Sequence, residues 1–109
     1  NFKRNTSLNN CFFLFDTGNR ISLKNSLIKD IYKFKNNIQY IHLKDKNIYN
    51  KNVIIGEGIV NFESIFKALK KIKYKGSFAI ESQRGNNIEH QAFKNYIFFK
   101  KLINQYIAK

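Results

Sequence analysis

Tyr40-Ile41-His42-Leu43-Lys44-Asp45 decides how this chain is read. An aromatic and β-branched run leads into a histidine, and charged residues follow at once. Such a stretch reads as a buried strand whose last side chains emerge at a functional rim. Two other stretches have the same form. Cys11 to Phe15 is apolar and ends at Asp16, with Thr17-Gly18-Asn19 behind it, and Ser77 to Ile80 is apolar and ends at Glu81. Each of these strands closes on a residue type that can ligate a metal.

Helical sequence lies between them. Ser22 is placed as an N-cap, followed by Leu23, Leu27, Ile31 and Phe34 on one stripe. Asn61 caps a second helix, with Glu63 in its first turn and a core-facing set of Phe62, Ile65, Phe66, Leu69 and Ile72; Lys75-Gly76 is read as its terminator. A last amphipathic helix runs to about Ile107 with Ala92, Tyr96, Phe99, Ile103 and Tyr106 as its stripe. Residues 44–60 form a polar connection around Gly56-Glu57-Gly58, too long for a plain turn. Those glycines are read as shaping the loop, while Gly18 is given the freedom to take positive φ.

The order is strand, helix, strand, helix, strand, helix, which makes right-handed parallel βαβ units. The continuous apolar run of the first strand fits a parallel sheet covered by helices. An open sheet and a slice of a (β/α)₈ barrel both satisfy this order. In either, the strand carboxyl ends share one rim, so Asp16, His42 and Glu81 converge. A mixed Asp/His/Glu set suits one divalent ion such as Mg²⁺, Mn²⁺, Co²⁺ or Zn²⁺.

Composition bounds the rest. The 109 residues, opening on Asn1, are expected to form a single partial domain, residues 1–109, cut from a longer protein. The net charge of +13 comes from lysines spread through every segment, with only three arginines, Arg4, Arg20 and Arg84. That pattern reads as solvated faces in an Asn-, Lys- and Ile-rich chain, and no specific nucleic-acid partner is expected. No apolar run approaches the ~20 residues of a membrane helix. A single cysteine, Cys11, read as a buried strand side chain, fits a reducing compartment, and a cytoplasmic location is expected.

The residues Phe15-Asp16-Thr17-Gly18-Asn19, Ile41-His42-Leu43-Lys44-Asp45, Gly56-Glu57-Gly58 with Val60-Asn61-Phe62, and Tyr74-x-Gly76 leading to Ile80-Glu81 occur in a familiar order. Over about residues 10–105 the chain resembles the C-terminal part of the sugar phosphate isomerases/epimerases of the xylose isomerase-like TIM-barrel superfamily, with the 3-epimerases of L-ribulose 5-phosphate and L-xylulose 5-phosphate as the nearest group. The resemblance implies a divalent metal held by Glu, Asp, His and Glu on consecutive strands, and Asp16, His42 and Glu81 match the last three. The first Glu has no counterpart upstream of Cys11. It also implies epimerisation or isomerisation of a sugar or sugar phosphate through an enediolate, with Glu81 as one of two carboxylates that move the proton. Asn19 and Lys44 would contact the substrate, Asp45 would orient His42 or Lys44 from behind, and a homo-oligomer is an option for the full-length form.

Two alternatives accompany this reading. An endonuclease-IV-like DNA repair enzyme of the same superfamily would carry a histidine three residues after the Asp. Here that position is Asn19, and the other histidine, His90, falls in the last helix. The second alternative is an inactive fragment, because three βα units do not close an eight-stranded barrel.

Overall fold

A computed structural model describes residues 12–18, 26–81 and 85–107. In chain order the elements are β1 (Phe13–Asp16), α1 (Ser26–Lys33), β2 (Ile38–Leu43), β3 (Asp45–Lys46), β4 (Asn52–Val53), α2 (Phe62–Lys71), β5 (Ser77–Ile80) and α3 (Ile88–Tyr106). Strands β1, β2 and β5 pair in parallel in that order, with Asp16 opposite His42 and His42 opposite Ala79. Cys11, Ser22 and Leu23 lie outside the described residues.

Helix α1 packs on α2, and α2 on α3, along one face of this sheet. Successive crossovers on a single face wind a sheet in one direction, as in a (β/α)₈ barrel; a doubly wound open sheet has helices on both faces. The chain is therefore a three-unit portion of such a barrel. Side chains alternate accordingly. Phe15, Ile41 and Leu43 are buried towards the helices, whereas Leu14 and Tyr40 on the opposite face are 56% and 45% exposed. The covering of the first strand expected on both faces is thus found on one. In a closed barrel the other face is the barrel interior.

The core is built on Phe66, whose ring stacks 5.3 Å from Phe78 and 6.3 Å from Phe99. Phe62 meets Phe99 edge to face at 5.0 Å. Ile31, Ile41, Leu43, Ile65 and Leu69 complete it, all fully buried. Asn61 caps α2 by accepting the Ser64 N–H at 3.1 Å, and Asn87 caps α3 by accepting the His90 N–H at 3.0 Å.

Some local readings are corrected. Helix α2 ends before the expected Lys75-Gly76: Ile72 is its C-cap, and Lys73 takes the left-handed conformation at φ 58° that glycine usually supplies. Gly76 answers a different need, since a Cβ there would collide with the Tyr74 hydroxyl and the Gln39 carbonyl. On α3 the buried positions are Asn95 and Phe99, while Tyr96 is half exposed. The expected stripe holds at Phe99, Ile103 and Tyr106, and it departs at Tyr96, in whose place Asn95 enters the interface as a polar group satisfied by Gln91 Nε2 at 3.0 Å.

The connection after β2 is structured. β3 and β4 form an antiparallel hairpin with Asp45 opposite Val53. Its turn is held by Asn47 Oδ1, which accepts the Tyr49 and Lys51 N–H groups at 2.9 and 3.1 Å, and by Asn50 at φ 62°. Ile48 and Tyr49 at the tip are exposed.

Candidate metal centre

The parallel ladder runs on past the strand ends. The Thr17 N–H donates to the His42 carbonyl at 3.1 Å, and the Glu81 N–H donates to the Leu43 carbonyl at 3.0 Å. These bonds hold the backbones of Asp16, His42 and Glu81 side by side. Their side chains follow: one ligand atom from each residue lies within 4.8 Å of the others. His42 Nδ1 is 3.0 Å from Glu81 Oε2. The Tyr40 ring, two residues back on the same face, meets the imidazole edge to face at 5.5 Å and limits its tilt.

Lys44 enters this group from the residue after β2. Its Nζ lies 2.9 Å from Glu81 Oε1 and 3.5 Å from Asp16 Oδ2. The Lys44 side chain is 15% exposed and Asp16 11%, while Glu81 is 54% exposed on the open side. The hydrogen bond and charge of Lys44 hold the Glu81 carboxyl below the usual carboxylate range. The same bond, together with the Asp16 charge and against the cost of burial, raises the Lys44 ammonium. Asp16 Oδ1 accepts the Gly18 N–H at 2.8 Å, which fixes its remaining rotation.

Two carboxylates and an imidazole fit a hard or borderline divalent ion. Ligand atoms each ~2.0–2.2 Å from one ion lie at most about 4.4 Å apart, so small side-chain adjustments suffice. Lys44 supplies the counter-charge between the carboxylates.

Asp45 has another task than orienting His42 or Lys44. It is 1% exposed, and its carboxylate accepts four backbone N–H groups: Lys46 at 2.9 Å and Val60 at 3.2 Å on Oδ1, Gly56 at 2.9 Å and Gly58 at 3.0 Å on Oδ2. It is the knot that ties the hairpin to the start of α2. The Lys44 amine goes to Glu81 and Asp16. The glycines at 56 and 58 shape the loop, as expected, by bringing their amides to Asp45. Asn19 and Arg84 lie outside the described residues, and His90 sits in the first turn of α3.

In the sequence Thr17 is simply the residue behind Asp16. It is fully buried, and its hydroxyl donates to the Lys44 carbonyl at 2.7 Å and accepts the Lys44 N–H at 2.8 Å. The signal in the sequence was the threonine behind a strand-end aspartate. Gly18 was given a conformational role, but among the described glycines the positive φ values belong to Gly56 and Gly85. At Gly18 a Cβ would lie 2.9 Å from Lys44 Cδ, so its smallness makes room for the lysine stem.

The sequence profile of the xylose isomerase-like TIM barrel matches residues 2–102, and the chain belongs to that family. The L-ribulose-5-phosphate 3-epimerase UlaE of Salmonella typhi is 40% identical over 77 residues, which cover 68% of this chain and 27% of the relative. The chain thus spans about a quarter of the length of that relative. Among solved structures, a D-allulose 3-epimerase from Methylomonas sp. matches 93% of this chain and 40% of its own, with a TM-score of 0.77 at 23% identity. A D-tagatose 3-epimerase-like protein matches 85% of this chain and 34% of its own, with a TM-score of 0.70 at 30% identity.

Proposed function

We propose that this chain carries most of the metal site of a divalent-metal-dependent epimerase or isomerase acting on a sugar or sugar phosphate. The observation that carries the reading is the convergence of Asp16, His42 and Glu81 at the carboxyl rim of three adjacent parallel strands. In a barrel of this family, that rim is where chemistry is done. The named epimerases among its relatives and fold neighbours support the substrate class.

Asp16, His42 and Glu81 would hold the ion. A divalent ion bound there acts as a Lewis acid, making the hydrogen on the carbon beside a ketose carbonyl removable as a proton. Glu81 is assigned the proton transfer: it is the more exposed of the two carboxylates, and Lys44 keeps it ionised and ready to accept. His42 holds one Glu81 oxygen and Lys44 the other, so the carboxylate is oriented before the substrate arrives. The Lys44 ammonium and Asn19 are assigned to substrate oxygens, the former by charge. Inversion needs a second acid/base group on the opposite face of the substrate, which the family places on the strand preceding β1. Activity is accordingly assigned to these units joined with the rest of a barrel.

The test is solvent exchange in D₂O with Mn²⁺, using the intact gene product and a panel of ketoses and ketose 5-phosphates. Deuterium is expected at the carbon beside the carbonyl, and Glu81→Gln is expected to abolish its uptake. A metal-loaded protein that exchanges none of the panel overturns the reading.

A further inference from the structure

A metal-ligand role accounts for Asp16, His42 and Glu81, but not for the buried Thr17 hydroxyl or the bare Cα of Gly18. Thr17 is wholly buried, and its hydroxyl spends both its donor and its acceptor on one residue, Lys44. Lys44 lies just beyond β2 and past the last backbone bond of its ladder to β1, from the Thr17 N–H to the His42 carbonyl. The Thr17 side chain thus replaces the missing strand partner, satisfying the N–H and C=O of a residue that would otherwise hang from the end of the sheet. A β-branched side chain suits this work because few χ1 rotamers are open to it. Next door, the Lys44 stem lies against the bare Cα of Gly18, where an added Cβ would fall 2.9 Å from Cδ and 3.0 Å from Cγ. A free lysine stem samples many rotamers. Here both its base and its stem are seated before its ammonium meets Glu81 and Asp16.

We propose that Thr17 and Gly18 form a cradle that aims the Lys44 ammonium into the mouth of the site, which makes Thr17 a positioning residue. The substrate-facing half of this inference rests on the function proposed above: the aimed ammonium receives an anionic or hydroxyl oxygen of the sugar. The cradle itself does not depend on that reading.

The experiment measures labelling rates of individual lysines in the purified intact gene product by reductive dimethylation and mass spectrometry at fixed pH. Lys67, with its side chain 61% exposed, is the internal reference. A hydrogen bond to a charged group corresponds to about tenfold protection, so Lys44 is expected to label about tenfold more slowly than Lys67. Thr17→Val, which keeps the shape and removes the hydroxyl, is expected to erase most of that difference, and Thr17→Ser to restore it. Gly18→Ala is expected to release Lys44 with the hydroxyl intact. A folded Thr17→Val chain in which Lys44 stays protected overturns the cradle. Should that variant fail to fold, Gly18→Ala decides by the same criterion. Labelling needs neither metal nor turnover, so a failed exchange assay leaves this result standing. In the intact gene product, Thr17→Val should raise the KM for the ketose more than it lowers kcat. An unchanged KM beside a released Lys44 overturns only the substrate-facing half.

Discussion

His42 Nδ1 and Glu81 Oε2 stand 3.0 Å apart, joining the carboxyl ends of two neighbouring strands that the sequence separates by a hairpin and a helix. Removing a group that merely orients a metal ligand costs about 10–100-fold in metal affinity. Removing a ligand costs at least as much. His42→Ala, Asp16→Asn and Glu81→Gln are each expected to weaken Mn²⁺ or Zn²⁺ binding at least tenfold by calorimetry, with Lys67→Ala as the neutral control. Equal affinity in all four chains would refute the centre.

The Lys44–Glu81 pair makes a prediction about pH in the metal-free chain. Lys44 lowers the Glu81 carboxyl below its ordinary 4.5, so the folded state gains from the ionised form above that value and loses the gain as pH falls through the lower, folded value. The Lys44 ammonium is raised above its ordinary 10.5, so its part is complete below that value and is lost as pH rises through the folded one. The pair is therefore whole between about pH 4.5 and 10.5. Carboxyl ¹³C NMR should place the Glu81 midpoint below 4.5, and Lys44→Met should return it towards 4.5.

Asp45 is expected to matter for stability rather than for metal binding. Its removal leaves four backbone N–H groups of one loop without their acceptor. Buried donors cost about 1–3 kcal/mol each when unmet, and water reaches some of these after the loop opens. Asp45→Ala should therefore destabilise the chain by at least about 2 kcal/mol in urea unfolding. The Gly56, Gly58 and Val60 amides should lose hydrogen-exchange protection.

The two glycines of that loop should respond differently. Gly56 sits at φ 94° in open space, so Gly56→Ala pays conformational strain, about 1–2 kcal/mol. Gly58 needs no positive φ, but a Cβ there would collide with the Asp45 carboxylate and the Lys46 carbonyl. Neither can withdraw without breaking the knot. Gly58→Ala is expected to be the costlier change in thermal unfolding, and the reverse order would contradict this packing.

At the centre of the helix layer, Phe66 is held between two aromatic rings. Phe66→Ala should cost about 3–5 kcal/mol. Leu14→Ala, on the uncovered face, should cost the 109-residue chain far less. Denaturant midpoints of the two variants test which face of the sheet holds the core.

Periodicity and capping are local, and they settled much by themselves. The bounds of β5, the Asn61 cap and the aromatic stripe of α2 were all legible because each depends on residues within a few positions of one another. The alternation of parallel units likewise puts Asp16, His42 and Glu81 on one rim from the sequence alone. The tertiary structure decided what depends on partners distant in the chain. It turned Asp45 from a helper of His42 into the acceptor for a loop up to Val60, because a buried carboxylate binds whichever amides the fold delivers to it. It put Asn95 in place of Tyr96 on the α3 stripe, since Gln91 satisfies that amide inside the interface. It put the helices on one face, which chose the barrel over the open sheet. It also set Thr17 and Gly18 against Lys44, because a side chain's use at a strand end is fixed by the strand that comes to lie beside it.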